Sequence, residues 1–296
     1  MKKWLKGLGI GVLAVGLAAC GSAAEPKTDP ETGKKVEVKN ESKMTAQEVY
    51  SKAMEVSAEQ KSMNAVMDIE QKMTIPGQDL NMDSKIKMDM DMIVDPIAMH
   101  QKMSMDMGDL GAMDMEMYMT DTGFYVNDPE MGEWIKMPKE MYDELMAQMG
   151  GETDPTLDMK MFKEFKDDFT FEQTDDEYIL TLAASGDKLS GLIKELIGQA
   201  MPAEGGFSEE EAEVYENMDV KKLNVTINID KETYYTNAFD MDMDLTMKVD
   251  GEEMHMVQKI KSVLTKINEI EEIAVPQEVI DNAVDLEEIM QEEGQE

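Results

Sequence analysis

The chain has 296 residues, with 28 basic residues that are all lysine against 64 carboxylates, two histidines, one cysteine and 33 methionines. A formal charge of −36 argues against a nucleic-acid partner, because that binding depends on a cationic surface that releases counterions from phosphates. The absence of arginine removes the bidentate fork for phosphate, and one cysteine provides neither an intrachain disulfide nor a cysteine-based metal site, so no cofactor is expected.

Residues 1–19 join Lys2, Lys3 and Lys6 to an apolar stretch from Leu8 to Ala19, the pattern of a signal peptide too short to be a permanent span. Leu17-Ala18-Ala19-Cys20, followed by Gly21, resembles a bacterial lipobox. The resemblance implies that Cys20 is acylated, by palmitate or a similar chain, and becomes the mature N-terminus. The membrane is then a partner through that lipid, and the protein is anchored to the extracytoplasmic face of the cell membrane. Residues 20–43, with Pro, Gly, Ser and charges but no apolar period, read as the lipidated Cys and a flexible tether. A folded domain is expected over 44–285, and an acidic tail over 286–296.

Met44-Thr45-Ala46-Gln47-Glu48 has the form of a capping box, with Thr45 as N-cap, and predicts a helix over 46–62. From Met63 the apolar period becomes two. Ala65 to Ile75, Met82 to Val94, Met99 to Met107 and Met113 to Met119 read as half-buried strands, with shorter ones near Phe124–Val126 and Trp134–Met137. Helical spacing returns at 138–149, around Met159–Phe165, at 188–200 and at 208–217. A hairpin is expected across Asp175-Asp176-Glu177. Alternation resumes at Leu223–Ile229, Tyr235–Val249 and Met254–Leu264, with an Asp250-Gly251 hairpin turn between the last two. A final helix is expected from Pro276 to Met290. The strands show no βαβ rhythm. The expected class is α+β: a single highly curved antiparallel sheet of ten to eleven strands, a half-barrel with helices packed on its concave face.

The lipobox, the tether, the capped helix, the meander, the stretch Tyr125-x-Asn127 to Trp134-x-Lys136 and the long final hairpins resemble Gram-positive lipoproteins of the LolA, LolB and LppX half-barrel superfamily, within it an uncharacterised lipoprotein family. The resemblance spans roughly residues 44–275 and implies a concave face that holds lipid or another hydrophobic ligand.

Fifteen methionines lie between Met63 and Met119, nearly all on the apolar parity of their strands. Three readings are open. They fill a core in place of Leu or Ile; they line an adaptable cavity that repacks around acyl chains; or their thioethers hold a soft metal such as Cu(I), as in a metal buffer or chaperone. Met88, Met90, Met92, Met103, Met105, Met115, Met117, Met241 and Met243 are the ligand-cavity candidates. His100 and His255 fall on the opposite parity, so no metal site is assigned. The carboxylates of that parity, among them Asp89, Asp91, Asp106 and Asp114, are expected to repel one another across strands, with lysines offsetting only part. No nucleophile elbow, phosphate loop or zincin motif is present, and no catalytic residue is proposed. The expected function is non-catalytic binding of an apolar ligand by a monomeric, lipid-anchored envelope protein, with the Cu(I) role and sacrificial methionine oxidation as alternatives.

Overall fold

A computed structural model describes residues 23–75, 80–108, 111–129, 132–138, 141–142, 168–186, 189–191, 194, 217–249, 251–286 and 289. Cys20, the signal segment, the expected helices around 159–165 and 208–217, most of those at 138–149 and 188–200, and most of the acidic tail lie outside these residues. None of the described helices is long and apolar enough to cross a membrane.

The capping box sets the start of helix α1, Ala46–Ala58. The backbone N–H of Glu48 donates to Thr45 Oγ1 at 3.3 Å, and that of Thr45 to Glu48 Oε2 at 2.8 Å. These bonds hold the Glu48 carboxyl below its usual range. The helix ends earlier than its expected residue 62, because Ser62 already pairs in the sheet opposite Ile93.

The strands are β1 (Glu25–Pro26), β2 (Ser62–Ile75), β3 (Leu80–Val94), β4 (Ile97–Asp106), β5 (Ala112–Thr120), β6 (Gly123–Asp128), β7 (Glu133–Lys136), β8 (Phe169–Gln173), β9 (Glu177–Ala184), β10 (Asp219–Asp230), β11 (Thr236–Val249), β12 (Glu252–Thr265) and β13 (Val284–Asp285). They form one large open sheet in the order β1-β8-β9-β10-β11-β12-β2-β3-β4-β5-β6-β7-β13. Neighbours are antiparallel except at the two ends, where β1 lies parallel to β8 and β13 parallel to β7. The count is thirteen, above the expected ten to eleven. The two additional strands are the two-residue edge pieces β1 and β13, too short to show any alternation.

Both edge pieces come from the ends of the described chain. The segment expected to be a free tether is instead folded against the β8 edge over residues 23–43. Ala24 is buried, Lys27 N–H donates to Gln173 O at 2.8 Å, and the Lys39 and Asn40 amides donate to Asp175 Oδ1 at 2.6 and 3.3 Å. Its composition lacks an apolar period because backbone pairing with a sheet edge needs none.

At the other end, residues 266–285 run from β12 across one face of the sheet to the β7 edge. Asn268 N–H donates to Ser62 O on β2, Lys266 Nζ lies 3.4 Å from Asp91 on β3, and Val284 pairs with Ile135 on β7. The expected helix from Pro276 to Met290 is interrupted: Gln277–Asn282, here α2, ends where Ala283 turns extended to feed β13, and Leu286 and Ile289 are helical again. Covered edges deny a second chain the unpaired strand that would template association.

The sheet separates the two residue classes. On its apolar face α1 buries Ala46, Val49, Tyr50 and Ala53 against Phe169, Phe171, Leu180, Leu182, Val220, Leu223 and Leu245 of β8–β11. Full burial of such side chains stabilises by about 1.5–3 kcal/mol each. On the charged face a smaller cluster joins Tyr118, Tyr125 and Trp134 to Val279 of α2. The described helices therefore lie on both faces and not on one only.

The register also corrects the expected repulsion. Asp68 sits between Lys87 and Lys261, Glu70 between Lys85 and Lys259, and Lys102 between Asp89 and Glu116. Acid and base thus alternate across strands, although along a strand they run in blocks such as Asp68-Glu70 and Lys85-Lys87. Each exposed pair contributes only about 0.2–1 kcal/mol, but none of these positions sets like charges opposite each other.

Candidate functional site: methionine rows across the sheet

Strand pairing turns the methionine alternation into rows. Met67 of β2 lies opposite Met88, Met88 opposite Met103, and Met103 opposite Met115. The next row runs Ala65, Met90, Gln101, Met117, and the one beyond it Met63, Met92, Met99, Met119. On the other side lie Ile69, Ile86, Met105 and Met113. With strands about 4.8 Å apart, each four-strand row spans about 14 Å.

A groove of about 570 Å³ crosses the sheet behind the first of these rows, on the charged face: Asp68, Lys87, Asp89, Lys102, Asp114 and Glu116 line it, and Met67, Met88, Met103 and Met115 border it only as the strand positions between them, their parity facing the other side. That volume falls within the usual range for small-molecule sites. Most methionines of these rows are half-buried, whereas Met99 and Met119 are buried.

The nine cavity candidates are thus divided. Met88, Met103 and Met115 form the first row with Met67, and Met90, Met92, Met105 and Met117 stand in the flanking rows. Met241 and Met243 do not join them. They lie on β11, separated from β3 by β12 and β2, and pack against the main core cluster under α1.

One residue of this face was not singled out by the sequence reading. Gln101 shares the parity of Met99 and Met103, pairs with Met90 and Met117, and is 8% exposed. Its side chain has no hydrogen-bond partner among the described residues. The signal was available, since a lone amide on an otherwise thioether parity is the informative departure. Gln71 is a second amide on this face and donates to Met256 Sδ at 3.4 Å.

Both histidines lie on the charged face. His100 Nε2 is 2.8 Å from Glu116 Oε1, its ring stacks on Tyr118 at 4.2 Å, and His255 Nε2 is 2.8 Å from Asp244 Oδ1. Around Glu116, burial raises the carboxyl, but the bond to His100, the Lys102 charge and the Tyr118 hydroxyl outweigh it and leave the carboxyl below its usual range. The Tyr118 phenol is pushed up to about 12, first by burial and then by the Glu116 charge. Any soft-metal site on the methionine face would therefore be built from thioethers without imidazole.

The model of a family described as of unknown function, DUF6612, matches residues 45–284. No curated protein matches the sequence. Among solved structures, the Mycobacterium tuberculosis lipoprotein LppX is similar at 10% identity and a TM-score of 0.32, over 77% of this chain and 97% of that one. A putative outer membrane lipoprotein-sorting protein domain from Vibrio parahaemolyticus gives 10% identity and a TM-score of 0.22, over 75% and 93%. A DUF1329 family protein from Desulfovibrio piger gives 9% identity and a TM-score of 0.24, over 74% and 90%. At such scores the likeness decides nothing about ligand or partner.

Proposed function

The chain belongs to the DUF6612 family, and we propose that it is a non-catalytic envelope lipoprotein, anchored through Cys20, that binds a lipid or another apolar ligand along its methionine rows. The observation that carries this reading is the set of half-buried methionine rows on one face of the sheet, with the unpaired Gln101 amide among them. Unbranched thioether side chains repack at low cost, which suits chains that differ in length and unsaturation. Each buried methylene of such a ligand contributes about 0.8 kcal/mol before ordering costs. Gln101 supplies a donor and an acceptor for one polar group of an otherwise apolar ligand. The half-buried row methionines pack against neither core cluster, which supports this role over that of a filled core, whereas Met241 and Met243, half-buried as well, pack under α1. The half-barrel implied by the sequence resemblance is the shape such a site requires.

The experiment is native mass spectrometry of the protein extracted in mild detergent, paired with a Met103→Lys variant. The expected result is a co-purifying apolar species that the variant loses while its circular dichroism is unchanged. A wild-type protein that is empty in repeated preparations, and that takes up no fluorescent fatty acid, overturns the reading.

A further inference from the structure

Residues 23–43 are not only ordered; they supply the partners of a residue that would otherwise be buried without them. Gln173, at the end of β8, is 1% exposed. Its Nε2 donates to Ala24 O at 2.6 Å, and its Oε1 accepts from Ser42 N–H at 2.9 Å and from Lys231 Nζ at 2.7 Å. The same ammonium donates to Asn40 O at 2.8 Å and to Thr174 O at 2.6 Å. One glutamine and one lysine thus grip the segment at both its ends, near Ala24 and near Ser42. Asp175 adds to the hold near Ser42 through the Lys39 and Asn40 amides, and Ala23 bridges to Thr45 at the start of α1.

The consequence concerns the distance from the domain to its anchor. A free chain over residues 20–43 would let the domain range roughly 27 Å from the lipid. With the segment gripped from Ala23 onward, the stretch back to Cys20 reaches at most about 10 Å. The segment is also electrically unlike the rest of the chain. Lys27, Lys34, Lys35, Lys39 and Lys43 balance Glu25, Asp29, Glu31, Glu37 and Glu41, in a protein whose formal charge is −36. The segment itself repels an anionic membrane surface less than the acidic bulk of the chain does, although Asp175, Asp176 and Glu177 beside it are acidic.

We propose that residues 23–43 are a clasp that holds the β1–β8 edge of the sheet against the bilayer surface, so that the domain stands edge-on to the membrane on a short leash. The proposal rests on the reading of Cys20 as the lipid site. It fixes which end of the sheet faces the lipid. The β7 edge is ten strand spacings from β8, roughly 48 Å along the sheet, and is therefore the end directed away.

The test uses the full lipidated protein, extracted and reconstituted into vesicles of phosphatidylethanolamine and phosphatidylglycerol that carry head-group spin labels. A fluorophore is placed at the exposed residue Asp176 beside the clasp (Asp176→Cys) or at the exposed Glu133 on the far edge (Glu133→Cys). Flotation with the vesicles reports the anchor separately. The expected result is flotation with quenching at least threefold stronger at position 176 than at 133. A flexible Gly/Ser insertion of about twenty residues after Ser22, which leaves the clasp intact, should bring the ratio towards one. Equal quenching of the two labels in a protein that floats overturns the clasp and leaves the anchor standing. A ratio unmoved by the insertion overturns the short leash. A protein that fails to float overturns the proposal together with the anchor on which it rests.

Discussion

Replacing Gln173 by Leu separates the clasp from the fold that it grips. The change keeps the bulk of a nearly fully buried side chain and removes its amide. Ala24 O, itself in a buried residue, loses its 2.6 Å donor, and Ser42 N–H loses its 2.9 Å acceptor. Lys231 retains Asn40 O and Thr174 O, so the ammonium is not stranded. An orphaned buried carbonyl costs about 1–3 kcal/mol, and the loss of a half-buried amide bond about 0.5–1.5 kcal/mol, so the docked segment should weaken by roughly 2–4 kcal/mol. The sheet itself is not cut, because β8 pairs with β9 through its backbone. Hydrogen exchange measures this directly. Protection at the Lys27, Val36, Lys39 and Ser42 amides should fall about 30- to 700-fold, the equivalent of that free energy, while amides of β9 and β10 change little. Protection at the four segment amides that stays within threefold of wild type would refute the assignment of Gln173 as the grip. Loss of protection throughout the sheet would show that the segment and the fold are a single cooperative unit.

Three further outcomes follow from the same geometry. Gln101→Leu removes an unpartnered amide from a residue that is 8% exposed, so thermal stability should hold or rise while affinity for a polar-headed apolar ligand falls about tenfold; a loss of stability with unchanged affinity would make the amide structural. Gly123 has φ +142°, and a Cβ there would lie 3.1 Å from the ring of the buried Tyr125, so Gly123→Ala should destabilise by about 1–3 kcal/mol, seen as a lower urea midpoint; a midpoint equal to wild type would deny the strain. The Asp175 carboxyl is held below its usual range by the Lys39 and Asn40 amides. A carboxyl depressed in the folded state contributes stability that is present above its unfolded value of 3.8 and lost as pH falls through the lower folded value. Exchange of the clasp amides, corrected for intrinsic rate, should therefore quicken below pH 3.8, and an Asp175→Asn variant should lack that acid-induced step.

How much of this was legible in the sequence depends on which force placed each residue. The eleven long or medium strands were readable because burial of one face writes a period of two into the chain, and a one-residue slip of register would expose every methionine at once. The helix start at Thr45 was readable because the capping box is a local bond between side chain and backbone. What was not readable was paired by backbone alone. β1 and β13 have two residues each, bury almost nothing, and are defined by the partners that they find at the sheet ends. The same holds for residues 23–43, whose polar composition describes a tether equally well. The division of the methionines was hidden for a related reason. Parity gives the face but not the strand order, and only the order β11-β12-β2-β3 sets Met241 and Met243 under α1 while Met88, Met103 and Met115 meet along one row. The charge pattern makes the point from the other face. Seen along one strand, Asp89 and Asp91 look like a repelling pair, whereas the register sets Asp89 against Lys102 and lets the Asn64 amide donate to both carboxylates at 2.7 and 2.9 Å. The excess of negative charge is thus distributed within a paired lattice, and residues 23–43, whose charges cancel, lie at the β8 edge, the end proposed to face the lipid.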